Sequence, residues 1–421
     1  MYNWVGKQSF RIAMLLLMLN LLTACGSEKT SPPKEVTKEE VFITTATPTP
    51  KEATATPTPT EATGIYSGGF KFEPEKFEDR YYFQQLSKEE QELYAYLYEQ
   101  VDAFSEDILF LKNVDSILFH KSYYALLQDC PEFFWLDSGL KITTVDSTGD
   151  ISQVSIPYEE TTLEEARQQR TDVEEAAGQW LAQIEPELSA YDKVRQVFEL
   201  IIAQTDYVEG SAYNQDIRSV FLNHQSVCSG YAKTLQYLLR ELDVPCALVN
   251  GETSDGVLHC WNQVCIDGTY CWVDVTRGDA SGEEEIIYYG YLCFDDTVLE
   301  RNYVIQKNIE LSTMPDMQTE FFQYPACDSQ EYNFFRLQER QYATYDSKTL
   351  QNYMLQGIDE GRSVFAFQFT SEEVFQEAVS ALDNEELLNE VLQELISRQG
   401  SGTWSYSYGN DPSIYTIYIY L

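Results

Sequence analysis

Histidine is scarce: three in 421 residues, and the sequence contains no CxxC and no HExxH pair. A zinc site fails on that inventory. There is no Walker loop and no dinucleotide fingerprint, so neither a metal nor a cofactor is expected. Cationic side chains are also few. Lys+Arg number 28 against 68 Asp+Glu, a formal net charge of −40. Phosphate backbones are gripped by clustered cations, which excludes nucleic acid as an expected partner. The same imbalance argues against charge-driven docking on anionic lipid. Its plain reading is solubility and self-repulsion at a cell surface, and its sharper one is attraction for cationic substrates or wall components. Beyond residue 25 no apolar run reaches the length of a membrane-spanning helix.

What is present first is an address. Lys7 and Arg11 supply a positive stretch, and the apolar segment 12–24 is short for a membrane span. It ends in LTAC at Cys25. Small residues before a cysteine at this place resemble the lipobox of bacterial lipoproteins. That resemblance implies cleavage before Cys25, a lipid on its thiol, and a protein anchored to the outer face of a bacterial cell membrane. From 26 to 66 the chain is rich in Thr, Pro, Glu and Lys, with ATPTP repeated. Such a segment has too few large apolar groups to fold, and its prolines favour extended chain. It reads as a tether.

The body carries enough apolar residues for a sizeable core, 43 % of the chain. Its length suggests two to three units. A helical region with a β-hairpin is expected over 67–185. Ser87 followed by Glu90 predicts a capped helix start, with Leu93, Leu97 and Val101 on one face. A second helical pattern runs from Asp115 to Pro131. A hairpin turning near 147–150 comes next, then helices over 162–184 and 189–204. A core unit is expected over 186–310. The last unit, 325–421, reads helix, strand (363–369), helix (371–397), strand (414–421), a small α/β appendage with a structural or binding role.

Chemistry concentrates in 226–279. After Cys228, the residues Ala232, Leu235, Leu239 and Leu242 repeat at helical spacing, so a helix starts near Cys228 with Ser226 available as cap. A helix N-terminus stabilises a thiolate and makes it a better nucleophile. The plain alternative is a small buried cysteine. Asp267-Gly268 is a hairpin turn signal. A two-residue turn there sets Cys265 opposite Tyr270, Gln263 opposite Trp272, Trp261 opposite Asp274 and His259 opposite Thr276. His259, Trp261, Asp274 and Thr276 then share one face, with Asp274 diagonal to His259. Cysteine, histidine and an orienting carboxylate make a nucleophile–base–orienter set.

The motifs VCSGYA (227–232), HCWN (259–262) and YCWVDVT (270–276), in that order, resemble the transglutaminase-like superfamily over about 192–296. The whole layout is similar to a type of bacterial surface protein in which a lipobox and tether precede a helical region, a transglutaminase-like core and a small α/β tail. The resemblance implies an α+β fold with a papain-like core. It implies acyl transfer on amide bonds through a cysteine thioester, as peptide hydrolysis, deamidation or transamidation. Peptides or proteins are the implied substrates, cell-wall peptides among them. By matching positions, Cys228 is the nucleophile, His259 the base and Asp274 the orienter. Two residues depart from the pattern. Cys260 stands where relatives usually have Ala; by alternation it points to the other strand face, so little harm is expected. Arg277 stands where relatives often have Trp, altering the cleft wall or adding a charge for a carboxylate; Trp261 is the other expected cleft residue. The Cys228 amide is one oxyanion donor, with Gln225 and Asn223 as candidates for a second.

His224 is expected in the loop feeding the Cys228 helix, and His120 in a structural role. Cys130, Cys246, Cys260, Cys265, Cys271, Cys293 and Cys327 read as small hydrophobes, with a Cys130–Cys327 pairing left open. Two functions therefore stand: a surface-tethered cysteine enzyme, or a catalytically silent binding or structural lipoprotein on the same fold.

Overall fold

The computed structural model describes residues 65–421 apart from 67–68, 137–138, 146–147, 159–161, 186, 280–285, 307–321, 385 and 400–405. The address, Cys25 and nearly all of the tether fall outside the described residues.

Helix α1 (Lys88–Asp102) opens on the expected reciprocal cap between Ser87 and Glu90 and buries Leu93, Leu97 and Val101. The chain then forms a strand that the helical patterns on either side obscured, β1 (Asp107–Val114). Helix α2 (Ser116–Asp129) comes next, and β1 pairs with β3 (Ile151–Ser155), which also pairs with β2 (Lys141–Thr144). The expected hairpin is thus two strands of a three-stranded antiparallel sheet. Helices α3 (Leu163–Leu181) and α4 (Ala190–Gln204) lie where helical periodicity put them. One apolar cluster runs from Phe77 to Phe335 and joins the helical region to the sheet-bearing unit C-terminal to it.

The short strand β4 (Asp206–Tyr207) pairs with β5 (Gln225–Ser226), and α5 (Ile217–Asn223) lies between them in sequence. Helix α6 (Cys228–Glu241) then packs on a four-stranded antiparallel sheet of order β8-β7-β6-β9, built from β6 (Cys246–Thr253), β7 (Leu258–Ile266), β8 (Thr269–Val273) and β9 (Tyr303–Ile305). Leu235, Leu238 and Leu239 are buried along α6, each worth about 2 kcal/mol of transfer free energy. Buried Asn262 pins the helix to the sheet: its Nδ2 donates to Ala232 O at 3.0 Å and Ala247 O at 3.3 Å. At Gly230 a Cβ would lie 1.9 Å from Ser226 Oγ and 2.8 Å from Ser219 Oγ, so only glycine lets the first turn of α6 approach α5 and β5.

The β7–β8 turn is as expected, with Asp267 and Gly268 both at positive φ and Cys265 opposite Tyr270. The ladder ends earlier than alternation suggested. Its last pair is Asn262 with Val273. Asp274 leaves the strand and caps a short helix, α7 (Val275–Gly278). Trp261–Asp274 and His259–Thr276 are therefore not strand partners. Helix α8 (Asp296–Asn302) leads into β9.

After α9 (Phe334–Leu337), the C-terminal sheet has the order β10-β11-β13-β12, from β10 (Gln341–Tyr342), β11 (Val364–Phe369), β12 (Ser407–Asp411) and β13 (Thr416–Tyr420). Its helices are α10 (Ser347–Asp359), α11 (Glu372–Asp383) and α12 (Glu386–Gln399). The single helix expected over 371–397 is thus two helices. The final strand has a hairpin partner, β12, that the sequence pattern did not expose. Phe365, Phe367, Leu382 and Ile419 belong to a core of its own. The β12–β13 turn reaches into the preceding unit. Tyr291 Oη donates to Asp411 Oδ2 at 2.8 Å, and Asn302 Nδ2 donates to Ser413 O at 3.1 Å. Ile414 is buried in one cluster with Trp261, Tyr291, Phe294 and Tyr303. Truncating it removes a buried side chain from that cluster. Ile414→Ala is expected to cost about 3 kcal/mol of stability by leaving a cavity, read as a lower urea midpoint with an unchanged slope.

Candidate active site

Cys228 is the first residue of α6, and the N-cap position belongs to Val227, which makes no side-chain cap. The expected cap, Ser226, is turned away. Its Oγ meets Ser219 Oγ at 2.6 Å and donates to Asn214 O at 3.1 Å. Without a capping side chain, the first-turn N–H groups stay available beside the Cys228 sulfur, and the helix dipole adds to their pull on negative charge.

β8 stops opposite Asn262, so β7 has an open edge at His259, and there Asp274 turns the chain into α7. His259 Nε2 lies 2.7 Å from Asp274 Oδ2. That leaves Nδ1 free for the other group that the ring interacts with, Cys228. Asp274 is fully buried, and all its neighbours donate. Tyr303 Oη gives a 2.8 Å bond to Oδ2, and the Arg277 backbone N–H a 3.0 Å bond to Oδ1. Burial alone would push Asp274 up, but the charge and hydrogen bond of His259, with Arg277 beside it, hold it below the usual carboxylate range. Burial opposes charge on His259 too, yet Asp274 and then Cys228 outweigh it and raise the imidazole to about 10. The ring is therefore an imidazolium at neutral pH, oriented from one side by a carboxylate and facing a thiol on the other.

The residues read as a triad thus come together. Other expected site residues find different places. Trp261 is wholly buried, its ring 4.8 Å from Tyr303 and stacked on His259 at 6.1 Å. A buried indole cannot line a cleft, and Trp261 supports the imidazole from behind. Arg277 holds its guanidinium 4.9 Å from the Tyr303 ring and 5.6 Å from Tyr291, and meets Tyr291 Oη at 3.5 Å. Asn223 commits its Nδ2 to Ala212 O at 3.0 Å, at the exposed end of α5. Gln225 is exposed on β5, where Asp206 pairs with it, and no contact among the described residues ties its side chain to Cys228. His224 caps α5 at positive φ with Nδ1 3.0 Å from Gln204 O, and His120 Nδ1 lies 2.7 Å from Ser116 O. Both sit in structural positions.

Two residues matter more than the sequence suggested. Tyr303 lies 29 positions beyond Asp274, and no motif marks it. Cys260 does point to the other face of β7, but that is the face α6 covers. Its sulfur lies 3.4 Å from Ser229 Oγ and 3.1 Å from Asn250 Oδ1, close enough to Cys228 for each thiol to shift the other's ionisation. The contact with Cys228 holds Cys260 down at about 7 against its burial. The same contact, with burial, pushes Cys228 up against the pull of His259. The two sulfurs thus give up a first proton near neutral pH and a second only far above the usual thiol range. The cysteines among the described residues are free thiols, including Cys130 and Cys327.

Residues 178–276 match the model of the transglutaminase-like superfamily. This segment is a transglutaminase-like domain. The surrounding α+β architecture fits a papain-like core. Among solved structures, a TGase is 16 % identical with a TM-score of 0.25, over 42 % of this chain and 52 % of that one. A Cytophaga hutchinsonii protein described as a candidate cysteine protease is 18 % identical with a TM-score of 0.22, over 30 % of this chain and 52 % of its own. This chain thus spans about half the length of each. No curated protein sequence matches. The matched segment contains Cys228, His259 and Asp274, whereas Tyr303 and Ile414 lie beyond it.

Proposed function

We propose that this protein is a cysteine enzyme that transfers acyl groups from amide bonds of peptides or proteins, cell-wall peptides among them. It works tethered to the outer face of a bacterial membrane through lipid on Cys25. The reading rests on one arrangement: Cys228 at the uncapped start of α6, in contact with His259, whose Nε2 is held by Asp274 at 2.7 Å. The Cys228 thiolate attacks the amide carbonyl carbon and a C–S bond forms. The oxyanion meets first-turn N–H groups of α6. Imidazolium His259 passes the Nδ1 proton to the leaving nitrogen, the C–N bond breaks, and a thioester remains. Water or an amine then attacks the thioester, His259 takes its proton, and the thiolate is released. Water gives hydrolysis or deamidation; an amine gives transamidation.

The test is to trap the thioester. Glutamine peptides and wall-peptide fragments are incubated with the protein and hydroxylamine, a nucleophilic amine. The expected result is a hydroxamate product with wild type, and none with Cys228→Ala. Absence of any acyl adduct on Cys228 across these substrates would sink the enzymatic reading in favour of a silent binding lipoprotein.

A further inference from the structure

We propose that Cys228 and Cys260 form a reversible disulfide that switches the nucleophile off under oxidising conditions. The loss of activity depends on the proposed function; the bond itself does not. Three observations carry it. Cys260 Sγ lies 3.4 Å from the Oγ of Ser229, the residue after Cys228, so the two cysteines face each other across the α6–β7 interface, and each shifts the ionisation of the other. Cys260 is held in place by Ser229 Oγ at 3.4 Å and Asn250 Oδ1 at 3.1 Å, and Asn250 is fixed in turn by its Nδ2 bond to Gln128 Oε1 at 2.7 Å. His259 and the α6 N-terminus favour the thiolate that oxidation requires.

With a peroxide as oxidant, the Cys228 thiolate attacks one peroxide oxygen and the O–O bond breaks. The departing hydroxide takes a proton and leaves as water, and Cys228 becomes a sulfenic acid. Cys260 then attacks the Cys228 sulfur. An S–S bond forms, the S–O bond breaks, and the oxygen departs as a second water with the proton of Cys260. Two electrons have passed from the two thiols to the peroxide. A small thiol reverses the step by exchange. Lacking Cys260, the sulfenic acid has no resolving partner and proceeds to the sulfinic acid, which thiols do not reduce.

The full chain is treated with hydrogen peroxide, digested without reduction and mapped by mass. The expected product has lost two hydrogens and joins the peptides of Cys228 and Cys260. Iodoacetamide labelling of Cys228 falls by more than about tenfold and returns with dithiothreitol. Cys260→Ser and Cys260→Ala should each gain two oxygens on Cys228 instead, with no recovery. If wild type accumulates the sulfinic acid as the variants do, or joins Cys228 to a different cysteine, the proposal is overturned. A mapped, reducible bond supports it; failed acyl transfer by the reduced protein would count against the enzyme reading and not against the bond.

Discussion

At pH 6 iodoacetamide should modify Cys228 faster than an ordinary thiol, and His259→Ala should abolish that advantage. The advantage rests on the cation beside the sulfur, which favours the thiolate. Two groups oppose the Cys260 contact and the burial that push the Cys228 thiol up: the His259 imidazolium and the uncapped N-terminus of α6. Removing the imidazole leaves the Cys260 contact and burial, and both favour the neutral thiol. Peptide mapping separates the two sulfurs. Cys228→Ala should leave Cys260 slow, since the contact that holds its pKa down has gone. Cys260→Ala should leave Cys228 at least as fast as wild type, since His259 and the helix remain. Fast labelling of Cys260 in the Cys228→Ala protein would instead make Cys260 the reactive thiol and undo the assignment.

Local patterns made much of the site readable. Helical spacing after Cys228 located α6, the Asp-Gly turn fixed the β7–β8 register, and alternation put Cys260 and His259 on opposite faces. What alternation could not tell was which face the helix would cover. That missing fact made Cys260 look remote when it touches the nucleophile. The end of β8 was illegible for a related reason. A carboxylate after a strand can continue the ladder or cap a helix, and Asp274 caps α7. Tyr303 was missed because it reaches Asp274 through the fold, on a strand added to the far edge of the sheet.

The same distinction explains Trp261. Sequence placed it beside His259 on one face, and it is there, stacked on the imidazole. Whether that face met solvent or protein depended on segments far along the chain. Tyr291, Phe294, Tyr303 and Ile414 close over it, so an expected cleft residue is part of an aromatic wall. The C-terminal unit carries no histidine, yet its Ile414 joins the apolar cluster in which Trp261 is buried.

Asp274→Asn should reduce acyl transfer by about 10³- to 10⁴-fold while the overall fold persists. Three donors converge on this carboxylate: His259 Nε2, Tyr303 Oη and the Arg277 amide. An asparagine has one oxygen for them. If that oxygen keeps Arg277, the new amide N–H faces Nε2, which must then accept. The ring proton moves to Nδ1 and points at Cys228, so the imidazole can no longer take a proton from that side. Stability should change with pH in a defined way. His259 is raised from 6.5 to about 10, so its contribution is complete below pH 6.5 and lost as pH climbs towards 10. Asp274 is lowered from 3.8, so its contribution is present above pH 3.8 and lost as pH falls through its folded value. Wild type should therefore exceed Asp274→Asn most between about pH 4 and 6.5, by about 3 kcal/mol for a buried pair broken on one side. Urea unfolding at pH 5, 7 and 10 reads the difference directly. A gap that does not shrink between pH 7 and 10 would mean that His259 is neutral in the folded protein, and that Asp274 orients the ring without charging it.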